Sequence, residues 1–453
     1  MKLIGLVICL WCVNFLDATE MYRAGVLQLD KEMSTNEYVP FVYEAGKRNV
    51  DILVLPSLDK EENYDEAIKS LSKSAKAAGL YVVAHLYEKA RCQNKVEMVE
   101  SYLVFDREGS VISVYRKPVS NLANCISTSS DIITFTTDFG VTFGLAMKED
   151  IVLRKVEFYK GLKNIVVTGA INEASFLSGP QFLSSWSYMN NVNLISNNGI
   201  FLGKSGFKID SGSLVIEDLY SNVGSQKSLV PNIPSTHFKK EDLSQYVIKP
   251  LDLEASATGY KDTVCHRSFC CEFYVKTTVT GSNSEASYGI AAFDGIYPFT
   301  GQNSIGVQNC AVFACSGLYK RSCELGTNNS TNIIFEKISV TANFTKPNAQ
   351  YPIIQVTSEL PVEKFKFDTR FNGISTQVTL EIVDSQNVVK FGIFGRDYTK
   401  DLENFAVETN NSESTYDIYD YIFNEDVQEF FDYLWIRLRI LLVVVSIYVL
   451  EMM

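Results

Sequence analysis

The hydrophobic pattern changes character near the middle of this 453-residue chain. In the first half, apolar runs typical of β-strands are interleaved with segments whose apolar residues recur every three or four positions, as in amphipathic helices. From about residue 256 the helical period is almost absent, and short strand-like runs alternate with clusters of Ser, Thr, Asn and Gly. The sequence therefore predicts an α/β first half and a β-rich second half.

The first half has a regular order of elements. Predicted strands span 22–30, 51–56, 80–88, 139–147, 164–170 and 191–197, predicted helices span 36–49, 64–79 and 181–190, and a hairpin spans 101–117. Strands that alternate with helices usually build a sheet whose faces are covered by those helices. We therefore expect a helix-covered sheet with mixed strand pairing.

Charge and histidine content exclude some classes of function. The chain has 41 basic and 53 acidic residues, for a net charge of −12. A general nucleic-acid binder needs basic surface to displace counterions from phosphate, so this class is disfavoured. Only three histidines occur, His85, His237 and His266, which argues against a multi-histidine metal site.

Both ends of the chain carry apolar segments that point to export. Residues 1–18 combine Lys2, an apolar run and the small residue Ala18, the pattern of a cleaved signal peptide; an uncleaved anchor is the alternative. Within 434–453 the clean apolar run is about half of the ~20 residues that span a bilayer. We expect a lipid-anchor (GPI) signal there, with a short spanning helix or a buried helix as alternatives.

Cysteine usage agrees with export. Eight cysteines remain outside the signal segment, and an even number in an exported chain implies disulfides. They are Cys92, Cys125, Cys265, Cys270, Cys271, Cys310, Cys315 and Cys323. The six within 265–323 leave fifteen pairings open. Zinc held by His266 with Cys265 and Cys270 is the alternative, but paired C-x-x-C spacing is absent, so we expect no metal.

Asparagine sequons also fit an exported chain. Four of them lie in the C-terminal part, and their acceptor residues are Asn328, Asn329, Asn343 and Asn410. Such sequons mark surface positions that carry glycans in the secretory pathway. We therefore expect a glycoprotein.

Several motifs, in this order, resemble one known family. The first-half motifs are VDILVLP (50–56), VYRKP (114–118), FGVTFGLAM (139–147) and SFLSGPQFLSSWSYMNNVNLISNN (175–198). The second-half motifs are VCHRSFCCEFYV (264–275), AAFDGIYPFTG (291–301) and FGIFGRDY (391–398). Together they are similar to the vanin and biotinidase branch of the nitrilase superfamily, and the resemblance covers nearly the whole chain outside the signal segment.

The resemblance implies a fold and an activity. It implies an α-β-β-α sandwich followed by a β-rich, disulfide-containing C-terminal domain, and an amidohydrolase that needs no cofactor. Vanins cleave the amide of pantetheine, and biotinidase releases biotin from its amides. In the family mechanism a glutamate takes the proton of a cysteine thiol, the thiolate attacks the amide carbonyl, and a lysine stabilises the oxyanion.

Carried onto this chain, the family triad is incomplete. The glutamate follows the proline of the second strand, and here Ser57 follows Pro56. The lysine of the tyrosine-x-lysine pattern is retained as Lys117. The cysteine lies four residues past a Phe–Gly pair, and counting from Phe139-Gly140 reaches Gly144. The family aspartate two residues later falls on Ala146.

Other groups offer weak replacements. Asp59 and Glu61 lie past the strand end, and Asp150 would need a one-turn shift to reach the site. No cysteine occurs from 126 to 264, so no shift there restores the thiol. Cys125 is better explained by a disulfide with Cys92. Lys117 without its partners is expected to be an ion-paired or solvated lysine.

These observations predict a domain order and a function. The expected order is 1–18 signal peptide, 19–255 nitrilase-like domain, 256–405 β-rich vanin-type domain, 406–433 polar stalk and 434–453 apolar tail. We expect a secreted, membrane-anchored vanin-like protein that is catalytically inactive and has a binding or signalling role. An active pantetheinase-like amidohydrolase with atypical residues is the alternative. A pantetheine-like or biotin-like molecule is the expected ligand.

Overall fold

The computed structural model describes most of the chain between residues 21 and 401. The described residues are 21–29, 32–92, 95–118, 132–169, 176, 179–209, 214–223, 230–231, 237–238, 242–279, 287–300, 303–317, 322–323, 327–328, 332–345, 348–356 and 360–401. The expected signal peptide, polar stalk and apolar tail lie outside them.

Among the described residues, the N-terminal half contains twelve strands and four α-helices. The strands are β1 Met21–Leu27, β2 Ile52–Ser57, β3 Tyr81–Cys92, β4 Lys95–Phe105, β5 Val111–Pro118, β6 Ile133–Thr136, β7 Thr142–Met147, β8 Asn164–Thr168, β9 Asn193–Ser196, β10 Gly199–Leu202, β11 Phe207–Lys208 and β12 Leu214–Tyr220. The helices are α1 Thr35–Lys47, α2 Tyr64–Ala78, α3 Lys148–Leu153 and α4 Gly179–Asn190.

These strands form two six-stranded sheets that pack face to face. The first sheet has the order β12-β1-β2-β3-β4-β5, and the second has the order β11-β10-β9-β8-β7-β6. In each sheet the central strands are parallel and the outer pairs are antiparallel: β1, β2 and β3 run parallel, as do β7, β8 and β9. Tyr22, Val83 and Phe143 belong to the apolar core between the sheets.

Helices cover the outer faces of both sheets. Helices α1 and α2 bury Val42 and Leu71 against the outer face of the first sheet, where Leu53 lies. Helix α4 buries Trp186 against the second sheet. The result is the predicted α-β-β-α sandwich, with the mixed strand pairing expected from the sequence. It follows from the apolar period of α1 and α2 and from β-strands that are buried on both faces.

Local signals set the ends of α2. The Asn63 side chain accepts hydrogen bonds from the backbone amides of Asp65 and Glu66, which satisfies donors that the first turn leaves free. The helix ends at Gly79 with a φ of 68°, a left-handed conformation that glycine adopts without a Cβ penalty.

The C-terminal half is a second sandwich made of strands. Its elements are β13 His237–Phe238, β14 Val247–Pro250, α5 Leu253–Ser256, β15 Tyr260–His266, β16 Phe269–Val279, β17 Ser287–Thr300, β18 Asn303–Cys315, β19 Thr327–Asn328, β20 Ile333–Phe344, β21 Asn348–Val356, β22 Phe365–Phe371, β23 Thr376–Gln386 and β24 Val388–Asp397. Two five-stranded sheets have the orders β14-β17-β18-β24-β21 and β15-β16-β20-β23-β22. The predicted β-rich second half is confirmed.

Helix α4 lies between the two halves. Phe182 of α4 packs edge-on against Tyr351 and Phe394 of the C-terminal sandwich, with ring centroids 5.2 and 5.8 Å away. The Ser185 hydroxyl donates a hydrogen bond to the Pro352 carbonyl at 2.6 Å. The two halves therefore share an apolar core.

Three disulfides tie the C-terminal sandwich together, as the cysteine count predicted. Cys265 pairs with Cys270, Cys271 with Cys310, and Cys315 with Cys323. This pairing excludes the alternative of a zinc site at Cys265 and Cys270. The His266 Nδ1 instead accepts a hydrogen bond from the backbone amide of Asp294 at 2.8 Å.

Removal of the Cys271–Cys310 disulfide should destabilise the chain more than removal of Cys265–Cys270. The first joins β16 to β18 across the two sheets with a sequence separation of 39, and the second closes a separation of 5. Loop-closure entropy then predicts losses of about 4 and about 2 kcal/mol for the paired Cys→Ala variants. Denaturant unfolding measures both losses, and equal losses would contradict this account.

Within the described residues, no helix has the length and apolar character to cross a bilayer.

Candidate functional site

A row of polar side chains crosses the first sheet near the end of β2. Ser57, His85, Tyr102 and Tyr115 are consecutive cross-strand partners on β2, β3, β4 and β5. Directly paired residues project from the same face of a sheet. Tyr102 and Tyr115 belong to the core between the sheets, so this row faces the second sheet.

A second row lies beside the first on the same face. Tyr87, Glu100 and Lys117 are cross-strand partners, and each is two residues along its strand from a member of the first row. The Tyr102 hydroxyl donates to Glu100 Oε2 at 3.4 Å, which links the rows. Burial is the largest influence on Glu100 and raises its pKa, although the Lys117 ammonium opposes that rise.

The second sheet contributes the junction between β7 and α3. Strand β7 ends at Met147 and α3 begins at Lys148, so the first turn of α3 lies at the carboxyl end of a parallel strand. Glu149 forms an ion pair with Lys117. Asp150 accepts a hydrogen bond from the Tyr115 hydroxyl at 3.0 Å and another from the Met147 amide at 3.0 Å. Helix α3 thereby connects the two sheets.

We call this group of side chains the sheet-end cluster. Its members are Ser57, His85, Glu100, Tyr102, Tyr115, Lys117, Lys148, Glu149 and Asp150. Ligand sites in α/β sheets lie outside the carboxyl ends of parallel strands, as this cluster does. Gly169, just past β8, has a φ of 86°, and a Cβ there would collide with the Tyr102 hydroxyl, so the backbone of the second sheet closes directly onto the cluster.

Ser57 and His85 form a close polar pair. The Ser57 Oγ lies 2.5 Å from His85 Nδ1, and the Tyr38 hydroxyl donates to the Ser57 carbonyl at 3.0 Å. His85 Nε2 lies 3.8 Å from Glu100 Oε2, too far for a hydrogen bond, and has no other partner in the described part of the chain. The imidazole stacks on Tyr102, with a centroid distance of 4.4 Å.

Burial sets the protonation of two members of the cluster. His85 is 1% exposed, and burial lowers its pKa to about 3, with a further lowering from the charges of Lys148 and Lys60. Its imidazole is therefore neutral at physiological pH. Lys148 is 3% exposed, and burial lowers the pKa of its ammonium to about 7. Neutral amine is therefore a substantial fraction of Lys148 near pH 7.

Lys117 lies in the cluster and is ion-paired. Its partner is Glu149, which is itself partly buried. Burial lowers the Lys117 pKa more than any other influence does, and the nearby Asp150 and Glu100 carboxylates oppose that lowering. The sequence predicted an ion-paired or solvated Lys117, and the structure pairs it with Glu149. Its role as the retained family lysine stays a prediction.

The strand boundaries change the Phe–Gly pair from which the four-residue spacing to the family cysteine is counted. Phe139 and Gly140 lie in the turn between β6 and β7, whereas Phe143 and Gly144 open β7 itself. A Cβ on Gly144 would lie 2.7 Å from Leu162 Cδ1 and 2.9 Å from Ile132 Cδ1, so packed apolar side chains surround that position. Counted from Phe143-Gly144, the four-residue spacing reaches Lys148.

The same recount moves the aspartate position from Ala146 to Asp150. From the sequence, Asp150 was expected only as a replacement that needed a one-turn shift, and Lys148, His85 and Glu100 were not predicted to be site residues. The repeated Phe–Gly pair was a signal for Lys148, since both pairs are visible in the sequence. Nothing comparable marked His85 or Glu100, because only strand register brings them beside Ser57.

The remaining predicted site residues lie elsewhere. Asp59 is exposed, and its carboxylate accepts a hydrogen bond from the Glu61 amide at 3.0 Å. The Cys92 side chain and Cys125 lie outside the described residues, so the disulfide expected between them stays a prediction. Asn343 is exposed on β20. The side chain of Asn328 and all of Asn329 and Asn410 lie outside the described residues.

In the parts of the chain that the structure describes, no three His, Cys, Asp or Glu residues are grouped so as to hold a metal ion. The carboxylates of the sheet-end cluster are engaged by Lys117, Tyr102 and Tyr115. The arrangement suits binding and proton transfer around a buried amine and a neutral imidazole.

Comparisons with known proteins identify relatives of this chain. A family model, the Vanin C-terminal domain, matches residues 236–401. Vanin-like protein 1 of Drosophila melanogaster is 26% identical over 426 residues, which cover 77% of this chain and 75% of the fly protein. Vanin-like protein 2 of the same fly is 25% identical over 489 residues, covering 86% and 92%.

Solved structures with similar backbones include hydrolases of the carbon–nitrogen bond. An amidase from Nesterenkonia sp. matches at 15% identity and a TM-score of 0.35, covering 45% of this chain and 91% of the amidase. A carbon-nitrogen hydrolase from Helicobacter pylori G27 matches at 18% identity and a TM-score of 0.33, covering 44% and 90%. The chain therefore carries a region that matches the Vanin C-terminal domain and is similar over most of its length to the vanin-like proteins of the fly.

Proposed function

We propose that this vanin-like protein does not hydrolyse amides through a cysteine thiol and has a binding or signalling role. The residues at two strand ends carry the proposal: Ser57 ends β2, and Lys148 follows β7. Neither supplies the carboxylate base or the thiol of the family mechanism. Members of a catalytic set act as a unit, so losing one already removes most of the rate.

The spacing of the family motif supports placing the lost nucleophile at Lys148. Four residues separate Lys148 from the Phe–Gly pair that opens β7, and Asp150 then occupies the aspartate position. The family lysine, Lys117, lies in the same cluster. Two family positions are therefore kept and two are replaced within one group of contacting side chains.

The proposed location is the outer face of the cell membrane. The signal pattern at residues 1–18, the apolar tail, the three disulfides and the exposed sequon residue Asn343 support export, glycosylation and a lipid anchor. Release of the protein from intact cells by a phosphatidylinositol-specific phospholipase tests the anchor.

A pantetheine-like or biotin-like amide is the proposed ligand at the sheet-end cluster. Support comes from the vanin-like relatives and from the retained Lys117, whose ammonium can donate to an amide carbonyl oxygen. A ligand that binds only the folded protein raises its melting temperature. Thermal unfolding with and without pantetheine or biotin therefore tests the binding role.

Hydrolysis of a pantetheine amide tests the loss of catalysis. We expect the purified wild-type protein to show only the uncatalysed rate. The variant Ser57→Glu with Lys148→Cys restores a carboxylate and a thiol at the two strand ends, and we expect it to exceed wild type by at least ~100-fold.

The matched control is Ser57→Glu with Gly144→Cys. Position 144 lies within β7, and a cysteine side chain there would press against Leu162 and Ile132 and not reach the sheet-end cluster. We therefore expect no gain in rate and a loss of about 1–3 kcal/mol in the free energy of unfolding. Activity of this control, with none in the Lys148→Cys variant, would return the nucleophile position to Gly144.

The alternative function is an active amidohydrolase with atypical residues. One observation favours it: Ser57 Oγ lies within hydrogen-bond distance of His85 Nδ1, and Glu100 lies on the far side of the imidazole. A hydroxyl beside a base that a third group orients is the general form of an activated nucleophile. Wild-type turnover that Ser57→Ala abolishes would establish this alternative.

A further inference from the structure

Lys148 is a buried amine at the junction of β7 and α3, and its charge acts on His85 of the sheet-end cluster. It begins α3 directly after the buried strand β7, and its side chain is 3% exposed. A lysine in such a place normally pairs with a carboxylate, because an unpaired buried ammonium is costly. The protonation state of Lys148 therefore depends on whether the neighbouring carboxylates are free to pair with it.

Each neighbouring acid on α3 is already engaged by another group. Glu149 pairs with Lys117, and Asp150 accepts from the Tyr115 hydroxyl and the Met147 amide. In the described part of the chain, no ion pair joins Lys148 to a carboxylate, and burial alone lowers its pKa, to about 7. A substantial fraction of Lys148 is therefore the neutral amine near pH 7, and its nitrogen lone pair is free to react.

The charged and titratable groups of the sheet-end cluster and its rim come from three strands, from α3 and from the loop after β2. They are His85 on β3, Glu100 and Tyr102 on β4, Tyr115 and Lys117 on β5, Glu149 and Asp150 on α3, and Lys60 in the loop after β2. The charge of Lys148 lowers the pKa of His85, whose buried Nε2 has no hydrogen-bond partner among the residues that the structure describes. An unpaired polar atom in a buried site points to a ligand group that would satisfy it.

We propose that Lys148 is a nucleophilic amine that captures an uncharged aldehyde as an imine at the sheet-end cluster. Its nitrogen lone pair attacks the carbonyl carbon, the C=O π pair moves to oxygen, and one proton passes from nitrogen to that oxygen to give a carbinolamine. A second nitrogen proton then leaves, the C–O bond breaks, and water departs as the C=N bond forms. The step is reversible and needs no oxidant or reductant.

The chemistry of the site favours an aldehyde over the amides of the family. Attack of an amine on an amide would end in a new stable amide on Lys148, whereas an imine returns the free lysine on hydrolysis. The three carboxyl groups of the cluster would repel an anionic ligand, and the Lys117 ammonium beside them is already paired with Glu149. The inference does not depend on the binding of pantetheine, because no amide ligand enters the reaction.

Reductive trapping tests the inference. The purified full chain is incubated with propanal and cyanoborohydride near neutral pH, and each lysine is followed by peptide mass mapping. We expect Lys148 to be alkylated at least ~10-fold faster than the exposed lysines, because a far larger fraction of it is neutral at that pH. The rate at Lys148 should rise with pH and level off above about 7.

Two comparisons keep the test specific. Lys390 is as buried as Lys148, but its ammonium lies over the Phe176 ring at 5.1 Å, so it serves as an internal control for a buried lysine that has a partner. Glyoxylate, an anionic aldehyde, should label Lys148 more slowly than propanal does. The variants Lys148→Arg and Lys148→Met should each lose the fast site while the other lysines keep their rates.

Some outcomes would overturn the inference. Labelling of Lys148 no faster than that of exposed lysines would show that the amine is charged or inaccessible. Equal alkylation rates for Lys148 and Lys390 would show that burial alone explains the reactivity of Lys148. Faster labelling of Lys148 by glyoxylate than by propanal would show that the site does not prefer an uncharged aldehyde. None of these outcomes bears on amide hydrolysis, which the separate assay decides.

Discussion

Replacing Lys148 by methionine is expected to stabilise the protein. Methionine has a similar length and carries no charge, so the variant removes the cost of keeping an ammonium in a buried site. Burial lowers the Lys148 pKa from 10.5 to about 7, which corresponds to a gain of about 5 kcal/mol in the free energy of unfolding well below pH 7.

The gain should depend on pH in a defined direction. Below pH 7 the lysine is protonated in both the folded and the unfolded chain, so wild type bears the full burial cost. As pH rises from 7 to 10.5 the folded chain loses its proton before the unfolded chain does, and the cost declines. Above 10.5 both states are neutral, and only the difference in packing remains.

Denaturant unfolding of wild type and Lys148→Met at pH values below 7 and near 10.5 measures this gain. Lys148→Arg is the matched control, because arginine keeps its charge and cannot lose the cost as pH rises. A methionine variant that is less stable than wild type at low pH would show that the native ammonium has a compensating partner.

Replacing Arg396 by alanine should destabilise the protein by about 3–5 kcal/mol, because it breaks a buried ion pair on one side. Arg396 is fully buried on β24, and its guanidinium pairs with Asp401 at 2.7 Å. It also donates to the carbonyl of Val152 at 2.9 Å and to that of Gly306 at 2.5 Å. The variant leaves the Val152 and Gly306 carbonyls without this donor and leaves the Asp401 carboxylate with only the Gly306 amide, which donates to it at 2.9 Å.

The Val152 bond makes Arg396 a link between the C-terminal sandwich and the site. Val152 lies in the last turn of α3, whose final carbonyls have no partner within the helix. Loss of the guanidinium should therefore loosen α3, and hydrogen exchange of α3 amides should rise along with the loss of stability. Arg370→Ala, on the exposed part of β22, is the control and should stay within about 0.5 kcal/mol of wild type. Equal effects of the two variants would contradict the link.

Periodicity determined most of the architecture in advance. The apolar spacing within 64–79 predicted a helix, and α2 spans Tyr64–Ala78 because Asn63 caps its start and Gly79 ends it. The loss of helical period after residue 256 predicted the β-rich sandwich, and an even cysteine count predicted its disulfides. Their pairing could not be read from the sequence, since it depends on which strands lie opposite each other, as β16 and β18 do at Cys271 and Cys310.

The site was only partly predictable. Lys117 and Ser57 were placed at strand ends by motif spacing, which is a property of the local sequence. The sequence predicted Gly144 as the position of the family cysteine because two Phe–Gly pairs precede the junction of β7 and α3. The four-residue spacing can be counted from either pair, so it could not by itself select the right one. The start of β7 makes that choice, since only Phe143-Gly144 lies within the strand.

The sequence by itself determined the order of elements, the β-rich second half, the disulfide chemistry and the absence of a cysteine in the middle of the chain. Only the tertiary structure brought Ser57, His85, Glu100 and Lys117 into adjacent rows. It also buried Lys148 near them with no carboxylate partner among the described residues. The physical reason is that local patterns record periodicity and turn chemistry. Register between strands and the burial of a charge arise from contacts between distant residues.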